Sequence, residues 1–305
     1  MVGQLLWSEG SGQPALIEAV LIWRCQVTTT WSEHNLMTCG STITPIPSRP
    51  LDCVYDMETR DPDDFLALCL LLSQPSVNLR AVTLNPGSPS QVGLVRRTLE
   101  IVGQSGTLVG SLSPHSSDDC IDPIHFDALG RAAPSRPDGL GFEVLAEVFK
   151  THPSAVLVTG APLDNVHELL MNCPGMSVQR WVGQGGFAGK HLVTQGHRLP
   201  GLGDRVTARS HNLSQNPLAA NAVLETRCIA RKELIPKDLT HGLFYDRNLH
   251  SRVAIARRQH AALGLIHRMM ELFLARHPKG KRLHDPLAAA VAIEPTICTF
   301  HTNWS

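Results

Sequence analysis

LDCVYDMETRDPDDFLALCLLL, residues 51–72, changes character twice along its length. Leu51 to Tyr55 is a short β-prone run, Asp56 to Asp64 a polar cluster, and Phe65 to Leu72 a dense apolar stretch that starts a helix, with Asp61 as its N-cap and Pro62 at its first position. Strand, polar loop and helix in that order make a βα unit, and the pattern repeats. Val77 to Leu84 reads as a strand, Asn85 to Ser90 as a turn, and Gln91 to Val102 as an amphipathic helix with Val92, Val95, Leu99 and Val102 on one face. Gly141 to Lys150 is predicted helical, Ala155 to Thr159 a buried strand, and Gly160-Ala161-Pro162 a break before a helix over Asn165 to Met171. Trp181-Val182-Gly183 reads as a further strand leaving through Gln184-Gly185-Gly186, and Pro217 to Leu224 and Arg252 to Ala275 read as helices. Successive βα units predict an α/β fold: a doubly wound, mostly parallel central sheet flanked by helices, Rossmann-like, with its ligand site beyond the carboxyl ends of the strands.

A chain of 305 residues accommodates one large domain of this kind. Residues 1–50 differ in texture, holding three of the five tryptophans, the run Thr28-Thr29-Thr30 and a proline-rich exit at Pro45, Pro47 and Pro50. They read as an N-terminal extension, poorly ordered and dispensable, ahead of a domain over 51–305. The 27 basic and 27 acidic residues cancel and form no long block, which argues against nucleic-acid and membrane partners and for a small polar substrate. The eight cysteines are scattered, several of them within apolar runs, as expected of reduced core thiols in a cytoplasmic protein. Ala15 to Trp23 is too short to span a bilayer and lacks the basic flank of a signal peptide.

Asp56, Glu58, Asp61, Asp63 and Asp64 fall directly after the first strand of the repeating pattern. Helix capping and the helix dipole account for one or two acids at such a place, not for five. Carboxylates held within a few ångströms repel one another, and a hard, oxygen-seeking cation removes the conflict. The glycine and distal glutamate of an EF-hand are missing. A second candidate, Arg282-Leu283-His284-Asp285-Pro286-Leu287, places a His-Asp pair at a helix start, where such a pair is more often a cap than a catalytic pair.

Taken together, the two segments resemble the inosine-uridine nucleoside hydrolase family over about Leu51 to Pro295. The family's Asp-x-Asp-Pro-Gly-x-Asp-Asp motif is similar to Asp56 to Asp64. Here the paired Asp63-Asp64 match, the preceding segment is one residue longer, and Glu58 stands where the family has its catalytic aspartate. Thr83 to Ser88 resembles the Thr-x-x-Gly-Asn segment, with Ser88 or Asn85 for the asparagine. Gly160 to Asn165 resembles Gly-Pro-Leu-Thr-Asn, with Asp164 for a threonine that ligates the metal through its carbonyl, and Gly185-Gly186 resembles the family's double glycine. The ribose-binding Glu-x-Asn and Asp-Pro-x-Ala-Ala are similar to Ser210-His211-Asn212 and Asn216-Pro217-Leu218-Ala219-Ala220, and an upstream Gly-Asn stands as Gly203-Asp204. His284-Asp285-Pro286-Leu287-Ala288 matches the last motif closely. A dehalogenase-type phosphatase, the other fold with acids after a strand, needs an Asp-x-Asp pair flanked by Thr-Gly in this position and a later Lys, and Thr59-Arg60 does not fit that pattern.

The resemblance implies metal-dependent hydrolysis of the N-glycosidic bond of a nucleoside-like riboside by a divergent member. It implies one Ca²⁺, held by Asp64, Asp285, the Asp164 carbonyl and either Glu58 or Asp61, that fourth carboxylate serving as general base. His284 is then the candidate acid, with His211 and His241 as further candidates. Asp63, Ser88, Asp204, Ser210 and Asn212 face the substrate. A homo-oligomer, dimer or tetramer, and a domain shortened at its C-terminus are also implied. The alternative is a non-catalytic nucleoside or sugar sensor that keeps the metal site.

Overall fold

The computed structural model describes residues 2–6 and 50–301, apart from residues 191, 194, 196 and 197. The segment that opens the fold forms β2 (Leu51–Met57) and α1 (Pro62–Ser73). After it come β3 (Val77–Leu84), α2 (Pro89–Ile101), β4 (Leu108–Ser111), α3 (Pro123–Leu129), β5 (Gly139–Leu140) and α4 (Gly141–Thr151). The chain then returns through β6 (Val156–Thr159), α5 (Asp164–Asn172), β7 (Val178–Gln184), α6 (His211–Ser214), α7 (Pro217–Glu225) and β8 (Ile229–Ile235). These seven strands are all parallel, in the order β8-β7-β6-β2-β3-β4-β5. Winding outward from β2 in one direction and then from β6 in the other leaves a topological switch point between β2 and β6, where ligands of open α/β sheets bind. The expected doubly wound α/β sheet is therefore present.

Both faces of β2 are covered. Cys53, Tyr55 and Met57 pack into one apolar cluster, whereas Val54 points into a second on the opposite face. This double burial is why the strand reads as a near-continuous apolar run rather than an alternating one. All of α1 is buried, and so is all of α11 (Asp285–Ile293), which packs against it. Each large side chain so enclosed contributes about 1.5–3 kcal/mol of burial. Two helices sunk to full depth in the core bring their first turns, and the acids those turns carry, to one place.

Arg252 to Ala275 resolves into two helices, α9 (Arg247–Ala256) and α10 (Ala261–Arg276). The break falls where His260 Nδ1 accepts from the Ala262 N–H and so caps a new helix. Between the sheet and these helices lie α8 (Lys237–Thr240) and a small ribbon of β9 (Phe244–Tyr245) paired with β10 (Lys281–Arg282). Residues Val2–Leu6 form β1, which runs parallel to β8 and antiparallel to β11 (Thr299–His301). These five residues thus belong to the nine-stranded sheet, and residues 7–49 of the expected extension lie outside the described residues. Among the described residues no helix is long and apolar enough to cross a membrane.

Candidate active site

A cavity of about 330 Å³ opens at the switch point. Its floor comes from the loop after β2, its near wall from Gly160 after β6, and its far wall from Gln184 after β7, Ser210 and Asn212 near α6, and the turn into α11. Backbone contacts lock these loops together: the Gly160 N–H donates to the Asp56 carbonyl, and Asn212 Nδ2 donates to the carbonyls of Gly160 and Gln184 at 2.9 and 3.1 Å. A Cβ on Gly160 would lie 2.8 Å from both Asp285 Cγ and the Tyr55 hydroxyl, so only glycine lets Asp285 reach its place.

Asp63, Asp64 and Asp285 each offer a carboxylate oxygen within 4.8 Å of the others, and all three are buried. Burial first, and the neighbouring carboxylates second, push Asp64 and Asp285 well above the usual carboxylate range. Asp63 is pushed up to about 7 by burial, against the pull of the Lys281 charge. The protein relieves part of this strain with backbone donors. Glu58 N–H donates to Asp64 Oδ1 at 3.1 Å, and the N–H groups of His284 and Asp285 donate to Asp63 Oδ2 at 3.1 and 3.3 Å. Acids on the first turns of two helices also meet the positive end of each helix dipole. Three convergent, underprotected oxygen donors are the chemistry that a hard divalent cation satisfies.

Glu58 overlooks this cluster with its carboxylate mostly buried, and burial raises its pKa, opposed by the His211 and Arg60 charges. His211 Nε2 lies 3.2 Å from Glu58 Oε2. Asp61 is half exposed: it caps α1 by accepting from the Asp63 N–H and pairs with Lys281 at 3.0 Å. Although burial pushes its pKa up, the Lys281 charge and these hydrogen bonds bring it below the ordinary value. His284 Nδ1 lies 2.8 Å from Thr240 Oγ1, and its ring meets that of His241 edge-on at 5.2 Å. Burial, then the charges of Lys281 and His241, push His284 down to about 3, so its imidazole is neutral across the physiological range.

Glu58, Asp61, Asp63, Asp64, Ser210, Asn212, His284 and Asp285 are thus gathered around one cavity. Ser88, Asp164 and Asp204 are not among its lining residues. The Ser88 hydroxyl accepts from the Gln91 N–H to cap α2 and donates to Asp119. The Asp164 carboxylate is clamped between Asn85 Nδ2 at 2.9 Å and Asn216 Nδ2 at 2.6 Å, so the acid that replaces a threonine is absorbed by two amides behind the cavity. Asp204 is exposed on the loop before α6.

Sequence reasoning missed three participants. Lys281, buried on β10, pairs with both Asp61 and Asp63. Lys237 lines the cavity from α8. Asp56 holds the loops from beneath: its Oδ1 accepts from Thr83 Oγ1 at 2.6 Å and Asn165 Nδ2 at 2.8 Å, and burial pushes it up to about 7. Only Asp56 left a signal, as the first acid of the cluster.

A doubly wound parallel sheet with convergent acids at its switch point defines an α/β protein with a cation-compatible pocket. Residues 51–304 match the inosine-uridine preferring nucleoside hydrolase family, and the chain belongs to that family of N-ribosyl hydrolases. It is 25% identical over 262 residues to the pyrimidine-specific ribonucleoside hydrolase RihA of Salmonella newport (strain SL254), covering 79% of each chain. To the RihA of Shewanella sp. (strain MR-7) it is 27% identical over 283 residues, covering 84% of this chain and 81% of that one. Among solved structures, the inosine-uridine preferring nucleoside hydrolase from Bacillus anthracis superimposes with a TM-score of 0.56 at 20% identity, covering 81% of this chain and 82% of that one. The type III effector XopQ, solved in complex with adenosine diphosphate ribose, gives 0.60 at 18% identity, covering 82% and 83%.

Proposed function

We propose that this chain cleaves the N-glycosidic bond of a ribonucleoside or related N-riboside with the help of one Ca²⁺, releasing base and ribose. The observation that carries the reading is the convergence of Asp63, Asp64 and Asp285 on one point facing Glu58. Asp64 and Asp285 hold the cation, whose chemistry is to make a water more acidic and so a better nucleophile at neutral pH. Of the two acids left open by the sequence, Glu58 is the better general base. Its backbone is tied to Asp64, its carboxylate is mostly buried and raised, and Lys281 does not occupy it, whereas Asp61 is committed to Lys281 and to capping α1.

The chain's own groups supply the rest. Asp63 and Asn212 hydrogen-bond the ribose hydroxyls and place the anomeric carbon beside the carboxylates, where the positive charge of an oxocarbenium-like transition state develops. In the tautomer that serves this reaction, Nδ1 accepts from the Thr240 hydroxyl and the Nε2 hydrogen faces the departing base, which the neutral imidazole stabilises by a hydrogen bond. Water adds to the anomeric carbon, Glu58 takes its proton, the C–N bond breaks, and the base leaves as an anion hydrogen-bonded by His284, to be neutralised by the proton that Glu58 then releases through solvent. The six free cysteines of the described residues support a reducing, cytoplasmic setting. The homo-oligomer rests on the family resemblance alone.

The second reading, a nucleoside or sugar sensor, draws on Lys281: one internal cation already holds two of the carboxylates. Incubation with a nucleoside panel in Ca²⁺ or in chelator, read by chromatography for free base, separates the two. Release of base that needs Ca²⁺ and is lost in Asp64→Ala supports the hydrolase. Binding without release across the panel supports the sensor.

A further inference from the structure

The cavity has a second electrostatic pole. Lys237 lines it, and its ammonium donates to the carbonyl of Arg209, the residue before Ser210. Lys237 therefore stands beside the wall that Ser210 and Asn212 form, while the acids take Lys281 as their own counter-ion. The ammonium is partly desolvated, and the charges of Arg205 and Arg209 reinforce the downward shift of its pKa. No carboxylate among the described residues pairs with these three cations. The nearest acid in sequence to Lys237, Asp238, is turned to the N–H groups of Ala188 and Gly189 at 2.7 and 3.3 Å. Arg205 and Arg209 are exposed. Like charges gathered around a residue that lines the cavity, without a counter-ion, repel one another, and a bound anion resolves the conflict, as a cation does for the carboxylates at the other pole.

The two poles orient a substrate. A ribose whose secondary hydroxyls face Asp63 and Asn212 directs its 5′ carbon away from the acids, because the 2′ and 3′ positions and C5′ lie on opposite sides of the furanose ring. Between them sits Ser210, uncharged, its hydroxyl accepting from the Gly186 N–H at 3.0 Å, so nothing on that wall repels an anionic substituent. Phosphate suits the far pole better than carboxylate, since it carries up to two charges and three acceptor oxygens for several donors at once.

Building on the hydrolase reading, we infer that the substrate is a 5′-phosphorylated N-riboside, its phosphate held by Lys237 with Arg205 and Arg209. The same site takes a nucleoside 5′-monophosphate or the first phosphate of a 5′-pyrophosphate ester, since both present the same oxygens to these donors.

The test is calorimetry on the full chain in Ca²⁺ with ribose and ribose 5-phosphate, followed by base release from a nucleoside and its 5′-monophosphate. Ribose 5-phosphate is expected to bind roughly tenfold more tightly than ribose, with the advantage shrinking as salt rises. Lys237→Met, or the exposed Arg209→Ser if the first variant does not fold, should bring the ratio of the two affinities toward one. Equal affinities for the two ligands, alongside base release from the nucleoside, would overturn the phosphate pole and leave the hydrolase reading intact. Tight ribose 5-phosphate binding whose ratio is unmoved in both variants would also overturn it, since the phosphate would then sit elsewhere. If no ligand binds and no base is released, the hydrolase reading itself falls and takes this inference with it.

Discussion

Replacing Lys281 by methionine keeps most of the side-chain volume and removes the charge. The ammonium lies 3.0 Å from Asp61 Oδ1 and 3.3 Å from Asp63 Oδ1, and the β9–β10 ribbon fixes its backbone. Its loss is felt unequally. Asp61, half exposed, is rehydrated, whereas Asp63, 4% exposed and already pushed up to about 7, keeps only two backbone donors beside Asp64 and Asp285, so at pH ~8 it must stay ionised without its counter-ion or take up a proton. Removing one partner of a buried pair costs about 3–5 kcal/mol, and the exposure of Asp61 puts this case near ~3 kcal/mol. For a domain of this size 1 kcal/mol moves the melting temperature by about 2–4 °C, so the chelated variant should melt roughly 6–12 °C below the parent.

Adding Ca²⁺ should then close much of that gap, because a cation among the carboxylates takes over the neutralisation that Lys281 provided. With the competing positive charge gone, calorimetry should find Ca²⁺ bound at least about tenfold more tightly, ~1.4 kcal/mol, a modest share of a charge–charge interaction at an effective dielectric near ~20. The assay is a pair of melting curves per protein, in chelator and in excess Ca²⁺, with a binding isotherm for each. Parent and variant melting alike in chelator, with the same Ca²⁺ shift, would show that Lys281 is not the counter-ion of this cluster.

Gly160→Ala sets a methyl group 2.8 Å from Asp285 Cγ and from the Tyr55 hydroxyl, both deeply buried, so it should cost about 1–3 kcal/mol and abolish the Ca²⁺-induced rise in melting temperature; an undiminished rise would show that the acids tolerate displacement. In the metal-free protein, burial holds Asp56 and Asp63 at about 7, above the unfolded value near ~4. The folded state therefore binds more protons, and this contribution to stability is full below pH ~4 and lost as pH rises through about 7. Melting in chelator should be higher at pH ~6 than at pH ~8, and the opposite slope would contradict the raised carboxylates. His284→Ala should keep the Ca²⁺ shift and lower base release by about 10²–10⁴-fold for ordinary nucleosides but least for a nitrophenyl riboside. An equal loss across leaving groups would make His284 an orienting residue instead.

What was legible in the sequence, and what was not, follows from how far each residue's meaning lies from its neighbours. β2 and α1 were readable because both are buried on all sides, so their apolar runs are long and the acids between them stand out. β8 was not: Arg231, Lys232 and Glu233 interrupt it, yet the Lys232 ammonium is satisfied by the carbonyls of Leu224 and Thr226, and Glu233 by Arg180, partners no local pattern announces. The same distance hid the charges that matter most in the site. Asp61 and Asp64 look alike in the chain and are separated in the fold by Lys281, more than two hundred residues away, which claims one and leaves the other. The Asp164 carboxylate, standing where the family has a threonine side chain, is absorbed by Asn85 and Asn216, so departures from the family pattern compensate one another, a pairing that leaves open the ligand role expected of the Asp164 carbonyl. A doubly wound sheet makes this unavoidable. Its switch point joins loops from opposite halves of the chain, so the carboxylates can be found from their own segment, while the division of labour among them depends on cations supplied by another.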